Sequence, residues 1–160
     1  MEKIIILGVG NILMQDEGFG VRVVEELTRR YRFPDNVQVL DGGTLGMELL
    51  RFVTGADRLL IIDAVSGGGS PGDLYQFANE EVKAYFKNKV SLHELGIQDV
   101  LAALELLAQP VREVVILGIQ PAVIDVGLEL SEAVQPGVAA TADRVLTILQ
   151  DWRINSLPLT

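Results

Sequence analysis

Four short, almost uninterrupted apolar runs alternate with segments of helical periodicity, and this alternation restricts the fold of the chain more than any other feature. The runs are Lys3-Ile4-Ile5-Ile6-Leu7, Val37-Gln38-Val39-Leu40, Arg58-Leu59-Leu60-Ile61-Ile62 and Val114-Val115-Ile116-Leu117-Gly118-Ile119. A strand covered on both faces loses the polar alternation of a half-exposed one, which is the habit of parallel sheets. Between the first two runs, Val21, Val23, Val24, Leu27 and Tyr31 recur near every 3.6 residues among Arg22, Glu25, Glu26 and Arg29, the pattern of an amphipathic helix. Short helices are expected over Met47–Val53 and Asn79–Lys87. Ser91-Leu92-His93-Glu94 has capping-box form and opens a helix through Val100, Leu104 and Leu107. The last helix starts between Ser131 and Val138 and runs to Trp152. Asp73-Leu74-Tyr75-Gln76-Phe77 alternates as an edge strand would. Before it, Ser66-Gly67-Gly68-Gly69-Ser70-Pro71-Gly72 reads as the most flexible segment of the chain. The expected fold is α/β: a three-layer sandwich with a mainly parallel twisted sheet of about five strands and helices on both faces, forming one domain over 1–160.

Composition narrows the function. The 160 residues are 49% hydrophobic, enough for a sizeable core and unlike a disordered chain. A formal net charge of −9 opposes binding to nucleic acid or to an anionic membrane surface. With no cysteine, thiolate metal sites, iron–sulfur clusters and a cysteine nucleophile are excluded. The N-terminus lacks the form of a signal peptide and no apolar stretch reaches the length of a membrane span, so a soluble cytoplasmic protein is expected.

Acids gather where ligands bind in such a sheet, at the carboxyl ends of the strands. After the first strand comes Gly8-Val9-Gly10-Asn11, and then two adjacent acids, Asp16 and Glu17. Asp41 ends the second strand and Asp63 the third. Taken singly, an acid after a strand is most often a cap or a turn residue; three on neighbouring strands would converge on one sheet edge, where they repel unless a cation lies between them. Gly8 and Gly10 come near a dinucleotide fingerprint, with Asp41 as the ribose-binding acid. Leu13 holds the third glycine position, however, and Asp16-Glu17 oppose a pyrophosphate. The single histidine, His93, is either a surface residue of a helical first turn or a metal ligand kept neutral by the helix dipole. A histidine with two carboxylates suits a divalent ion, although the spacing matches no compact zinc signature. No Gly-x-Ser-x-Gly elbow is present.

Taken together, Gly8-Val9-Gly10-Asn11 with Asp16-Glu17-Gly18, Asp41-Gly42-Gly43-Thr44, Asp63-Ala64-Val65, His93 and Gly118-Ile119-Gln120-Pro121 resemble the hydrogenase maturation proteases. The resemblance spans nearly the whole chain, and its first and second blocks are specific as a pair. It implies a cytoplasmic endopeptidase that removes the C-terminal extension of the large-subunit precursor of a nickel–iron hydrogenase. It further implies that Glu17, Asp63 and His93 bind nickel already inserted in the precursor, which would then supply the soft ligands this chain lacks. It also implies that another divalent ion such as zinc or cadmium would take that place in the isolated protein. Asp41 resembles the acid needed for proteolysis in relatives. Asp41 or Asp16 is the expected general base on an attacking water. The competing readings are a non-catalytic metal-binding or nickel-sensing module and a nucleotide-binding domain.

Overall fold

The computed structural model describes residues 1–45, 47–87, 101–102 and 111–159. Its main sheet is built from β1 (Ile4–Val9), β3 (Val37–Gly43), β4 (Arg58–Ala64), β5 (Leu74–Ala78) and β6 (Glu113–Ile119). The strand order is β3-β1-β4-β6-β5. The pairs β1–β3, β1–β4 and β4–β6 are parallel; β5 takes an edge, as its alternation predicts, and runs antiparallel to β6.

The apolar runs are continuous because both faces of the central strands are covered. Ile4 and Ile6 face one cluster, with Phe19, Val23 and Leu27 of α1 (Phe19–Arg30) and Val138, Val145 and Leu149 of a long C-terminal helix (Pro136–Asp151). Ile5, Leu7 and Val9 face the other, with Leu49 and Val53 from the segment of α2 (Leu50–Val53) and Val82 and Tyr85 of α3 (Glu80–Lys87). That parity, alternating residue by residue along β1, is the period of two that a strand imposes. The sandwich expected from the sequence is therefore the one observed. The C-terminal helix, α4 in chain order, has Pro136 in its first turn, where a missing N–H costs nothing. The sequence pattern did not announce a second, two-stranded ribbon, β2 (Tyr31–Arg32) with β7 (Leu157–Pro158). Nor did it show that the strands ending at Asp41 and Asp63 run on, to Gly43 and Ala64. Of the helix expected from Ser91 to Leu107, all but residues 101 and 102, which are helical, lies outside the described residues.

The N-terminal end of α1 lies almost against the sheet. A Cβ on Gly20 would stand 2.0 Å from the carbonyl oxygen of Ile62 and 2.6 Å from that of Val9, both rigid backbone atoms. The close approach seats Phe19, fully buried, over β4. Gly20→Ala must push the helix off the sheet, and overpacking of that kind costs about 3 kcal/mol. The expected result is a fall in the urea midpoint with an unchanged slope.

The opposite, amino-terminal edge of the sheet is charge-compensated. Arg58 reaches Glu2 and Glu113 at 2.7 Å each and lies over the Trp152 ring, and Arg112 reaches Glu2 at 2.6 Å. Among the described residues no helix is long and apolar enough to cross a membrane.

Candidate active site

From β1 the chain crosses to β3 on one side, and from β4 it proceeds to β5 and β6 on the other. The crevice beyond the carboxyl ends of β1 and β4 is thus the point where strand order reverses, the usual ligand position in open α/β sheets. The residues after β1 and at the end of β4 line it.

The turn after β1 is held by backbone and side-chain hydrogen bonds. Gly10 has φ +123°, a conformation open to glycine, and its N–H donates to the Gly43 carbonyl at 2.8 Å. Asn11 Oδ1 accepts the Leu13 N–H at 2.9 Å. The 3₁₀ turn Gln15–Gly18, which carries Asp16 and Glu17, follows and leads directly into α1. A Cβ on Gly10 would fall 1.9 Å from the Glu17 carbonyl oxygen and 3.6 Å from Asp63 Oδ1. Glycine is required there, and its bare Cα is what brings the Glu17 turn and the Asp63 carboxylate to the same place. Asp63 is only 3% exposed, and its Oδ1 accepts the N–H of Ala64 at 2.8 Å.

Asp41 stands on the far side of β1, level with Gly8. Two strand spacings separate β3 from β4, roughly 9–10 Å, so the Asp41 backbone is set apart from that of Asp63. Asp41 is exposed, and its Oδ1 accepts the Gly43 N–H at 2.8 Å while Gly43 adopts φ +48°. This Asx turn fixes one oxygen of the carboxylate; among the described residues the other receives no hydrogen bond. His93 lies outside the described residues. Among those described, no three His, Cys, Asp or Glu side chains come together as a metal-binding group.

Asp16, the second expected base, is placed differently from Asp41. It is fully buried (0% exposed) and its carboxylate accepts four hydrogen bonds: at Oδ2 from the N–H groups of Ala122 and Val123, both at 2.9 Å, and from the Ser131 hydroxyl at 2.8 Å, and at Oδ1 from the Ser131 N–H at 2.8 Å. Burial pushes its pKa up. The donors from Ser131, Val123 and Ala122 outweigh burial and hold it below the usual aspartate value. A carboxylate shut off from water and saturated with donors is poorly suited to take a proton from a substrate water. Its geometry instead ties residues 121–131 to the turn that carries Glu17. Backbone bonds complete the tie: Gln15 N–H to Gly127 carbonyl at 2.9 Å, Gly127 N–H to Leu13 carbonyl at 2.9 Å, and Asp16 N–H to Val123 carbonyl at 3.1 Å.

Sequence reasoning also missed how the glycine-rich segment is held. Gly67 N–H donates to Gln120 Oε1 at 2.9 Å, Gly69 N–H to the Tyr75 hydroxyl at 2.9 Å, and Ser70 N–H to Asp73 Oδ2 at 2.8 Å. The Tyr75 hydroxyl in turn donates to Gln120 Oε1 at 3.0 Å. The segment that reads as most flexible is thus stapled beside the carboxyl end of β6. Gln120 supplies the staple; the sequence marked it by its position after that strand and within the Gly118–Pro121 block, not by this role.

Comparison with known proteins points one way. A profile describing hydrogenase maturation proteases matches residues 21–148. The hydrogenase 2 maturation protease of Escherichia coli is 41% identical over 157 residues, covering 98% of this chain and 96% of that protein. A hydrogenase expression/formation protein of Bradyrhizobium diazoefficiens is 42% identical over 154 residues, covering 95% of this chain and 80% of its own. Among solved structures, a hydrogenase maturating endopeptidase from E. coli superposes with a TM-score of 0.93 at 39% identity, covering 98% of this chain and 97% of that one. A nickel–iron hydrogenase maturation protease from Thermococcus kodakarensis superposes with a TM-score of 0.76 at 31% identity, covering 91% and 98%.

Proposed function

This chain belongs to the hydrogenase maturation protease family and is a hydrogenase maturation endopeptidase; on that premise we propose that it trims the C-terminal extension from a nickel-loaded hydrogenase large-subunit precursor. The observation that carries the reading is the convergence at the β1/β4 crevice, where Gly10 lets the Glu17 turn and the Asp63 carboxylate meet. Two carboxylates and a histidine, the part that His93 takes in this reading, form a donor set suited to a divalent ion, and nickel is here part of the substrate. Glu17, Asp63 and His93 recognise the nickel of the precursor and leave its remaining coordination positions to the precursor's own ligands.

The chemistry is direct hydrolysis. With no cysteine in the chain and no serine elbow, the attacking group is water. Asp41 takes its proton as the water adds to the scissile carbonyl, and the proton passes to the departing amine. The Asx turn holds Asp41 Oδ1 on Gly43 and leaves the other oxygen for this task. Asp16 is a positioning residue in this scheme, because its four donors fix the turn that presents Glu17.

The test is to incubate the chain with the nickel-loaded precursor and follow the C-terminal peptide by mass spectrometry. Release of one peptide supports the proposal. Binding without release leaves a metal-sensing module, and saturable NAD or ATP binding in its place leaves a nucleotide-binding domain. Glu17→Gln, which removes a charged ligand, is expected to weaken precursor affinity at least ~10-fold, the lower end of what even outer-shell changes cost at metal sites. Unchanged affinity in that variant removes Glu17 from the recognition set.

A further inference from the structure

Residues 121–131, pinned by Asp16, carry an unusual surface. Val123, Ile124, Val126 and Leu128 are 40%, 51%, 82% and 59% exposed, and Leu13, on the segment hydrogen-bonded to them, is 58% exposed. These are five of the eleven large exposed apolar residues described, gathered on two paired segments. Single exposed aliphatics are ordinary, but a contiguous group marks an interaction surface. From Leu128 a groove of about 780 Å³ continues between α1 and residues 128–138, with Leu130, Pro136 and Val138 also lining it.

The charge around this surface is one-sided. Arg22 is engaged by Glu25 and the Leu128 carbonyl, and Arg29 by Glu26. Asp125, Glu129 and Glu132 have no basic partner among the described residues and lie exposed beside the apolar side chains. An apolar centre with an acidic rim complements a segment that is apolar and basic.

The geometry points to this surface as the docking face for the precursor polypeptide, engaging an apolar segment flanked by Lys or Arg. The inference rests on the function proposed above and adds where the partner sits. Its place follows from continuity: Leu13 lies in the turn just before the one that carries Glu17, and Asp16 joins that Glu17 turn to the surface. A protein that brings nickel to Glu17 and Asp63 therefore passes over Leu13 and residues 123–128. Buried at the contact, the aliphatics supply affinity, while the acids supply orientation and the salt dependence of association.

The test measures binding of the nickel-loaded precursor to the intact chain and to three variants. In the double variant Val126→Asp/Leu128→Asp the dissociation constant is expected to rise at least tenfold, and cleavage at limiting precursor to fall by the same factor. Glu129→Lys/Glu132→Lys, which leaves the apolar residues in place and guards against a misfolded first variant, is expected to weaken binding and flatten its salt dependence. Leu157→Asp is the control, an equally exposed leucine on the β2–β7 ribbon, and is expected to change neither. Wild-type affinity in both double variants overturns the docking face while the wild-type chain still trims the precursor. A wild-type chain that neither binds nor trims it overturns the function as well. Loss of self-association in sedimentation, with precursor affinity unchanged, assigns the surface to a second copy of the chain and likewise overturns the inference.

Discussion

Asp41→Asn is expected to bind the nickel-loaded precursor with affinity within about twofold of the wild type and to cleave it ~10²–10⁴-fold more slowly in a single turnover, the range ordinarily supplied by a positioned acid or base. The structural reason lies in the Asx turn. An asparagine keeps the Oδ1 that accepts the Gly43 N–H, so the loop after β3 stays in place. What is lost is the capacity to take a proton. The strand spacing adds a second argument, since Asp41 lies across β1 from Asp63 and need not touch the metal for the precursor to be held. Splitting affinity from rate isolates the effect, because a change confined to the rate is the signature of an interaction made only in the transition state. Full activity in Asp41→Asn removes it as the base. A matching loss of affinity and rate makes it part of the binding surface instead.

Asp16→Ala is expected to lower global stability by about 3 kcal/mol. Hydrogen bonds to a charged group contribute ~1.5–3 kcal/mol each, but they are not additive, and the donors of residues 122 and 123 lie in an exposed segment where water replaces part of the loss. The damage should be local first. Amide exchange at Ala122, Val123 and Ser131 should accelerate more than at the core strands, and precursor affinity should fall with it. The pH dependence has a definite sign. Because the folded state holds the Asp16 carboxyl below its ordinary value, its contribution is fully present above the unfolded carboxyl pKa of ~3.9 and is lost as pH falls through the lower folded value. Wild type and Asp16→Asn should therefore differ most at neutral pH and converge in acid, as read from urea midpoints at pH 7 and at pH 3. A difference that grows on acidification contradicts the assignment of Asp16 as an ionised anchor.

The layers of the fold were legible because they are set by local periodicity. Four apolar runs and the α1 pattern specify which segments form strands and that both faces of them are covered, and parallel pairing follows from the helices between the runs. The acid edge was legible for the same reason, since Glu17, Asp41 and Asp63 each follow or end a recognisable strand pattern. What the sequence concealed depends on partners far along the chain. Asp16 looks like a first-turn acid, and its role appears only when Ser131, 115 residues away, donates twice to it. The run from Ser66 to Gly72 looks slack because glycine and serine carry little local preference, yet Tyr75 and Gln120 hold its N–H groups. The β2–β7 ribbon has two residues per strand, too few for any period to register. His93, and with it the third member of the expected metal set, lies outside the described residues.

In the proposed function Glu17 and Asp63 meet a metal that the precursor presents. The direct measurement is single-turnover cleavage by the wild-type chain of the same large-subunit precursor in nickel-loaded and nickel-free form, followed as release of the C-terminal peptide. The account predicts that the loaded precursor is trimmed and the nickel-free one is left intact. Equal cleavage of both would contradict it.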